Sequence, residues 1–267
     1  MRGLAFFDAH VSPGQDYLER FDHLSKYISD TLPDYIVQGG DFITLDSVSS
    51  YQREDILARA EMDLREEIEV FTTAVEDFFH WIIGERYLRR AAKRKQYQPK
   101  IYWFYGNHED RWRRYCIDKP ELRKILNLDE IILKYANGLD VEIVPYPEYR
   151  VVENVYYMHA PVIWQNRPIS ARKAVGWRAL PHYDGHIIFG HYHWLEIASM
   201  GVHGNHIPKI AVCAGTFSPT KEDYMRHAPY NWWPGFIEIE HLDTGAINIR
   251  LISLNDLKEL AYGRKAA

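Results

Sequence analysis

Short apolar runs and longer amphipathic segments alternate in the first half of the chain. The runs GLAFF (3–7) and DYIVQGG (34–40) predict buried strands. Between them, apolar residues recur at helical spacing in YLERFDHLSKYISDTL (17–32), so the chain opens as strand–helix–strand, which is typical of an α/β sheet. From about 53 to 98 the sequence is charged and helical in period, and Pro99 ends that segment.

The second half of the chain is dominated by strand patterns. KIYWFY (100–105) predicts a third strand, and LDVEIVPY, YRVVENVYYMHA and GHIIFGHYH predict further strands. IASMGVHGNHIPKIAVCAG and GFIEIEHLDTGAINIRLISL predict antiparallel hairpins with glycine-bearing turns. We therefore predict a single α/β domain over 1–267, with two mixed β-sheets flanked by helices and a long helical insertion at about 53–98.

Composition limits the class of protein. The 267 residues are 46% hydrophobic, which is enough for one large domain with a well-buried core. The net charge of −5 argues against a protein whose whole surface binds nucleic acid, but it is compatible with a local basic patch. Cys116 and Cys213, without CxxC spacing, indicate a reducing compartment and no thiolate metal site. With only LAFF before Asp8 and no stretch of membrane-spanning length, we expect a cytoplasmic protein without a membrane partner.

Five predicted strands end on residue types that bind metals. The carboxyl ends of neighbouring strands meet in a crevice of an α/β sheet, so residues far apart in the chain can converge there. In Asp-x-His and His-x-His, the two side chains of an extended segment face the same way. The candidate ligands are Asp8, His10, Asp41, Asn107, His159, His191 and His193.

Several nearby residues have simpler explanations. Gly40, Gly106 and Gly190 each precede a candidate ligand, where a strand must turn without a side chain in the way. The triplet at 204–206 repeats Gly-Asn-His without a following carboxylate, and we interpret it as hairpin-turn chemistry. Asp46 is a candidate for supporting a metal ligand without itself binding metal, but a loop carboxylate or helix cap is the favoured interpretation.

The ordered motifs resemble those of the calcineurin-like metallophosphoesterases. That family's order D-x-H, GD, GNH[D/E], H, GHxH appears here between about residues 4 and 195, as Asp8-Ala-His10, Gly40-Asp41, Gly106-Asn107-His108-Glu109, His159 and Gly190-His191-Tyr192-His193. The resemblance implies a four-layer α/β/β/α sandwich with two metal ions. It assigns one ion to Asp8, His10, Asp41 and His193, and the other to Asp41 (as a bridge), Asn107, His159 and His191. It makes His108 the catalytic histidine.

The predicted chemistry is phosphoester hydrolysis. Two divalent cations ~3.5–4 Å apart can bind phosphate oxygens and share a bridging hydroxide that attacks phosphorus. Imidazole and carboxylate ligands without thiolate favour Mn, Fe, Zn, Ni or Co over Mg or Ca, and we expect Mn²⁺. His108 would donate to a phosphate oxygen or to the leaving alkoxide. Glu109 and Asp110 are predicted to cap the helix that begins RWRRY, with orientation of His108 as the alternative.

The substrate is predicted less directly. Arg111 and Arg114 would share a helix face, Arg172 lies among basic and aromatic residues, and a basic stretch ends the 53–98 segment. The alternative for each is a solvated surface. The motif GDFITLD lacks the arginine of the family's protein phosphatases, which weighs against phosphoprotein, and GGDF with GNHEDR resembles phosphoesterases encoded by phages.

We therefore expect cleavage of phosphodiesters of nucleotides or nucleic acid. Three alternatives stay open: a nucleotide or polynucleotide phosphomonoesterase, a hydrolase that uses one metal, and a metal-binding scaffold without catalysis.

Overall fold

The computed structural model describes residues 1–15, 17–49, 63–124, 127–164, 167–170, 173–219 and 231–263. Its helices are α1 (Arg20–Thr31), α2 (Leu64–Ala91), α3 (Asn107–Asp118), α4 (Leu128–Ala136), α5 (Val175–Ala179) and α6 (Leu254–Tyr262). Its strands are β1 (Arg2–Phe6), β2 (Tyr35–Gly39), β3 (Lys100–Phe104), β4 (Asp140–Val144), β5 (Tyr149–Val152), β6 (Val155–Met158), β7 (Val162–Trp164), β8 (Arg167–Pro168), β9 (His186–Phe189), β10 (Leu195–Val202), β11 (Asn205–Ala214), β12 (Gly235–His241) and β13 (Ile247–Ser253).

Two mixed sheets form the centre of the fold. The six-stranded sheet has the order β13-β12-β1-β2-β3-β4, in which β1 to β4 are parallel and β12 pairs antiparallel with both β1 and β13. The five-stranded sheet has the order β10-β11-β9-β6-β5, with β11, β9 and β6 parallel and an antiparallel strand at each edge. Because the central strands of each sheet are parallel, their carboxyl ends lie at one edge.

Three hydrophobic cores separate four layers. One core lies between the six-stranded sheet and helices α1, α2, α4 and α6, and it includes Phe21 and Trp103. A second core fills the space between the sheets and includes Val37 and Tyr157, and the Tyr157 hydroxyl is hydrogen-bonded to that of Tyr35 on the other sheet at 2.7 Å. A third lies between the five-stranded sheet and α5. The predicted α/β/β/α sandwich, with two mixed sheets flanked by helices, is therefore confirmed.

Helix α2 is part of the core layer. Phe78 and Phe79 on its inner face pack on the ring of Trp103 from β3, with ring centroids 5.8 and 6.1 Å away. Truncating a buried aromatic in such a cluster costs ~3–5 kcal/mol. The described part of the predicted insertion at 53–98 thus anchors the sheet. The single-domain organisation over 1–267 stays a prediction.

The basic stretch that begins in the last turn of α2 lies away from the strand ends predicted to carry chemistry. Arg86 near the end of α2 donates to the carbonyl of Asn137, which precedes β4, and Lys100 at the start of β3 donates its amide to Asp34, just before β2. The helix therefore ends beside the amino ends of the parallel strands. Our suggestion that Arg89, Arg90, Lys93, Arg94 and Lys95 form a ridge serving the site is not supported by this placement.

The hairpin that we predicted around the second Gly-Asn-His triplet is present in the structure. Val202 pairs with Asn205 across a tight turn in which Gly204 has a φ of 77°, so the second Gly-Asn-His triplet lies in a hairpin as expected.

Within the ranges that the structure describes, none of the helices combines the length and apolar character that a membrane crossing requires.

Candidate metal centre

The seven candidate ligands meet where the carboxyl ends of the two sheets adjoin. Asp8 and His10 follow β1, Asp41 follows β2, and Asn107 begins α3 directly after β3. The other sheet supplies the remaining candidates, His159 after β6 and His191 and His193 after β9. The convergence follows from the parallel arrangement of these strands.

The first ligand group consists of Asp8, His10 and His193. The two ring nitrogens His10 Nε2 and His193 Nε2 lie 3.0 Å apart, and His193 Nε2 is 3.4 Å from Asp8 Oδ1. Asp8 is fully buried, and its Oδ1 accepts no hydrogen bond from any described residue. A buried carboxylate oxygen of this kind, facing two imidazole nitrogens, has the donor chemistry of a divalent-metal site.

The second ligand group consists of Asp41, Asn107, His159 and His191. His159 Nε2 lies 3.2 Å from Asp41 Oδ2 and 3.0 Å from Asn107 Oδ1, and the His191 ring centroid is 5.1 Å from that of His159. Donor atoms of Asp41, His159 and His191 lie within 4.8 Å of one another, as do those of His10, Asp41 and His108. Asp41 therefore lies between the two groups, where a bridging ligand would have to be.

Five of the seven candidates have left-handed backbone conformations. The φ angles are 52° at Asp8, 48° at His10, 50° at Asp41, 71° at His191 and 63° at His193. Each such conformation costs on the order of 1–3 kcal/mol for a residue other than glycine, and it persists only where the surroundings enforce it. Strained residues cluster at functional sites, and five of the twelve non-glycine residues with positive φ among the described residues lie together here.

Two glycines beside the candidates are required by close approach. A Cβ on Gly190 would lie 2.2 Å from Asp8 Oδ2, and one on Gly106 would lie 2.1 Å from Asp41 Oδ1. Any side chain at either position would displace a carboxylate. The prediction that no side chain fits in the way at the glycines preceding the ligands therefore holds at these two positions.

Burial and neighbouring groups set the protonation of the cluster. Burial lowers the pKa of His10 well below its ordinary value and that of His191 to about 4, so both imidazoles are neutral with lone pairs available. Burial would raise the pKa of Asp41, but His159 and His108 hold it well below its usual range. Burial also opposes protonation of His159, yet Asp41 raises its pKa to about 9. Without a metal ion, a proton on His159 balances the Asp41 carboxylate.

Glu109 organises the backbone around the second ligand group. It is buried, and its carboxylate accepts from the amides of Phe42 at 2.7 Å, Gly106 at 2.7 Å and Asp41 at 3.1 Å. Burial, and then the Asp41 charge, raise its pKa to about 7. The predicted capping role is correct in part, because Glu109 also holds the segment that carries Asp41. The helix starts at Asn107, four residues earlier than predicted.

His108 is bound on both sides of its ring. Its Nδ1 lies 2.8 Å from the carbonyl oxygen of Thr44, which makes Nδ1 the protonated nitrogen, and its Nε2 accepts from Arg111 Nη2 at 2.9 Å. Arg111 also forms a 3.0 Å salt bridge with Asp46. Asp46, for which we favoured the interpretation as a loop carboxylate or helix cap, thus also contacts the candidate substrate residue Arg111. Its pairing with Arg111 depends on a loop path that spacing does not reveal.

The other predicted substrate residues are placed differently. Arg114 does not accompany Arg111 toward His108; its half-exposed side chain pairs with Asp110 at 3.1 Å. Arg172 lies outside the described residues. Two aromatic residues that we had not assigned to the site do flank it. The ring of Tyr146 is 6.0 Å from that of His159, and Trp232 packs edge-on against His193 at 4.4 Å.

Comparisons with known proteins add little to this geometry. No protein-family model and no curated protein matches the sequence. A metallophosphoesterase from Sphaerobacter thermophilus is similar over 98% of this chain and 98% of its own, at 15% identity and a TM-score of 0.45. A second solved structure covers 94% of this chain and 99% of its own, at 15% identity and a TM-score of 0.36. Such low identities and scores establish neither fold nor activity.

Proposed function

We propose that this protein is a dinuclear-metal-dependent phosphoesterase that cleaves phosphodiesters of nucleotides or nucleic acid. The observation that carries the proposal is the convergence, from two sheets, of two carboxylates, four histidines and an asparagine, five of them in strained left-handed conformations. Strained backbone conformations cluster at functional sites, and a histidine with a purely structural role does not require one. Mixed nitrogen and oxygen donors without thiolate favour Mn²⁺, Fe, Zn²⁺, Ni²⁺ or Co²⁺, and we propose Mn²⁺.

In this proposal the first ligand group and Asp41 hold one cation, and the second ligand group holds the other. Bound cations would supply Lewis acidity toward phosphate oxygens and ionise water near neutral pH. The protein's part is to hold the donors rigidly and to keep the anionic ligands few. Only Asp8 and Asp41 among the seven carry negative charge, so a phosphate is still attracted to the site.

His108 and Arg111 would act on the substrate. The Thr44 carbonyl fixes one proton of His108 at Nδ1, so Nε2 is the atom that would take up a second proton and then donate it to the leaving oxygen. Arg111 Nη2 lies at that same Nε2, where an arriving phosphate oxygen could accept its hydrogen bond instead. Asp46 would keep the guanidinium aligned.

The preference for nucleotide substrates rests on the flanking aromatic rings. Tyr146 and Trp232 lie on the His159 and His193 sides of the centre, and aromatic faces of this kind can stack bases at ~1–3 kcal/mol each. The distant basic stretch after α2 gives no support to a long nucleic-acid track.

The direct test compares two histidine variants. Protein produced with Mn²⁺ would be assayed on bis-p-nitrophenyl phosphate, p-nitrophenyl phosphate and a short single-stranded oligonucleotide. His108→Ala should lower turnover by ~10²–10⁴-fold while metal content stays unchanged. His206→Ala, in the second Gly-Asn-His triplet, is the matched control and should be fully active. Absence of turnover on all three substrates by metal-loaded wild type would contradict the proposal and favour a scaffold.

A further inference from the structure

Arg20, the first residue of α1, has a fully buried side chain that reaches the strand ends. Its guanidinium donates from Nε to the Phe217 carbonyl at 2.9 Å, and from Nη1 to the Tyr17 carbonyl at 2.8 Å. Its Nη2 donates to the Ala9 carbonyl at 3.0 Å and to Gln15 Oε1 at 2.7 Å. Burial lowers its pKa to about 9, so the group stays charged at neutral pH. Burying a cation costs free energy unless the cation is paired or well hydrogen-bonded.

One of the acceptors of Arg20 belongs to the segment Asp8-Ala9-His10, which carries two of the candidate ligands. Its three successive carbonyl oxygens each accept a hydrogen bond from a different side chain. Thr216 Oγ1 donates to the Asp8 carbonyl at 2.6 Å, Arg20 to the Ala9 carbonyl, and Gln15 Nε2 to the His10 carbonyl at 3.0 Å. We name Arg20, Gln15 and Thr216 the carbonyl clamp.

The clamp bears on the two ligand side chains through the backbone. Asp8 and His10 are both left-handed, and their amides donate to the carbonyls of Gly40 and Asp41 at 3.1 and 2.9 Å. The segment's carbonyls therefore point away from β2, into the interior. Without donors there, they would be buried and unpaired, and the strained conformation would relax.

A guanidinium suits this position better than an ammonium group. Its planar fork serves four acceptors in fixed directions, while its faces lie against the rings of Phe21 at 4.6 Å and Phe217 at 6.0 Å. Lysine would keep the charge, but its three donors radiate from one point and cannot serve the same four acceptors.

We propose that the carbonyl clamp is a positioning device for the first ligand group, with Arg20 as its central member. It holds Asp8-Ala9-His10 in the conformation that directs both donor side chains toward one cation. Among the hydrogen bonds of the clamp given above, all between described residues, none goes to a ligand side chain. The inference rests on the metal centre proposed above.

The test counts metals site by site. Chelator-stripped wild type, Arg20→Lys and Thr216→Val would be titrated with Mn²⁺ by equilibrium dialysis, with electron paramagnetic resonance to detect the spin-coupled pair. In each variant one of the two affinities should fall by ~10–100-fold, as is typical when a group supporting a ligand is lost. The coupled spectrum should then be replaced by that of isolated Mn²⁺.

A matched variant separates positioning from general stability. Tyr35→Phe removes buried hydrogen bonds to Tyr157 and His241 at the amino end of β2, so it should lower the melting temperature while both Mn²⁺ affinities stay as in wild type. Should Arg20→Lys fail to fold, Thr216→Val carries the test, because it removes one hydroxyl and leaves the buried cation in place.

Two results would overturn the inference and are distinguishable. Two unchanged Mn²⁺ sites in folded Arg20→Lys or Thr216→Val would make the clamp purely structural and leave the proposed function intact. A wild type that binds no Mn²⁺ would overturn the proposed function together with the clamp.

Discussion

The segments 8–10 and 41–43 run side by side beyond the ends of β1 and β2, and their buried supports have opposite charge. The amides of Asp8 and His10 donate to the carbonyls of Gly40 and Asp41. This pairing leaves the carbonyls of 8–10 and the amides of 41–43 to be satisfied by other groups. The carbonyl clamp with its Arg20 cation serves the first set, and the Glu109 anion serves the second.

The difference explains why charged residues without ligand roles are buried beside the centre. Each segment turns its unused polar groups toward the interior, and their polarity sets the charge of the side chain that fits there. Removing either support should therefore weaken mainly one half of the centre. Removing Asp41, which lies between the halves, should weaken both.

Asp41→Ala should have the largest effect. Its Oδ2 faces His159 in the second ligand group, and its donor atoms also lie near His10 in the first. Both Mn²⁺ affinities should fall by more than the ~100-fold upper range for groups that only support a ligand, and hydrolysis should be lost. Calorimetric titration of Mn²⁺ measures this. Asp34→Ala, at the amino end of β2, is the control, and retention of one tight site in Asp41→Ala would argue against a bridging role.

Glu109→Gln should weaken the second ligand group more than the first, because Glu109 holds Gly106 beside Asn107 as well as the segment of Asp41, which both groups share. The glutamine amide nitrogen would face backbone N–H groups that now donate to a carboxylate oxygen, leaving donors unpaired at ~1–3 kcal/mol. The Mn²⁺ affinity of the second group should fall by ~10–100-fold and that of the first group by less, the reverse of Arg20→Lys. Glu196→Gln, which alters a carboxylate bound to the amides of Val175 and Gly176, is the matched control.

The comparison between halves would fail if Glu109→Gln and Arg20→Lys weakened the same site most. A double variant gives a sharper result. Because the two supported segments are hydrogen-bonded to each other, the loss of Mn²⁺ binding free energy in the double variant should differ from the sum of the single losses by ~0.5–3 kcal/mol.

Arg111→Gln should affect substrate and leave both metal sites intact. The guanidinium contacts His108 and Asp46 but none of the seven candidate ligands in the hydrogen bonds described here. A hydrogen bond to a charged phosphate is worth ~1.5–3 kcal/mol, so kcat/KM should fall by about 10- to 100-fold. Steady-state kinetics with metal analysis of the same sample measures both quantities. Loss of a metal would assign Arg111 to the support of the centre instead.

Arg114→Ala should have the smallest effect. The side chain is 52% exposed and pairs with Asp110 at the surface. Exposed ion pairs contribute ~0–1 kcal/mol, so thermal stability and kcat/KM should both stay close to wild type. A loss of kcat/KM as large as that of Arg111→Gln would return Arg114 to the substrate site.

The sequence predicted the fold and the convergence of ligands because both depend on local patterns. Apolar runs that end on Asp8, Asp41 or His159 identify parallel strand ends, and sheet topology then brings the ends together. The supports of the centre were not predictable in the same way. Arg20 appears in the sequence as one more polar position of an amphipathic helix, yet its side chain is fully buried.

The same limitation applies to Asp46 and to the basic stretch after α2. The pairing of Asp46 with Arg111 depends on how the loop after Asp41 folds back over α3. The position of the basic stretch depends on the direction in which α2 crosses the sheet. Both are tertiary properties, and neither leaves a periodic signal in the sequence.

Anomalous diffraction at the manganese edge, from crystals grown with Mn²⁺, tests the central claim most directly. The account predicts two peaks per chain, ~3.5–4 Å apart, with Asp41 between them. One peak should lie against Asp8, His10 and His193, and the other against Asn107, His159 and His191. A single peak would contradict the dinuclear centre and favour a hydrolase that uses one metal. No peak within reach of these side chains would contradict a metal centre altogether.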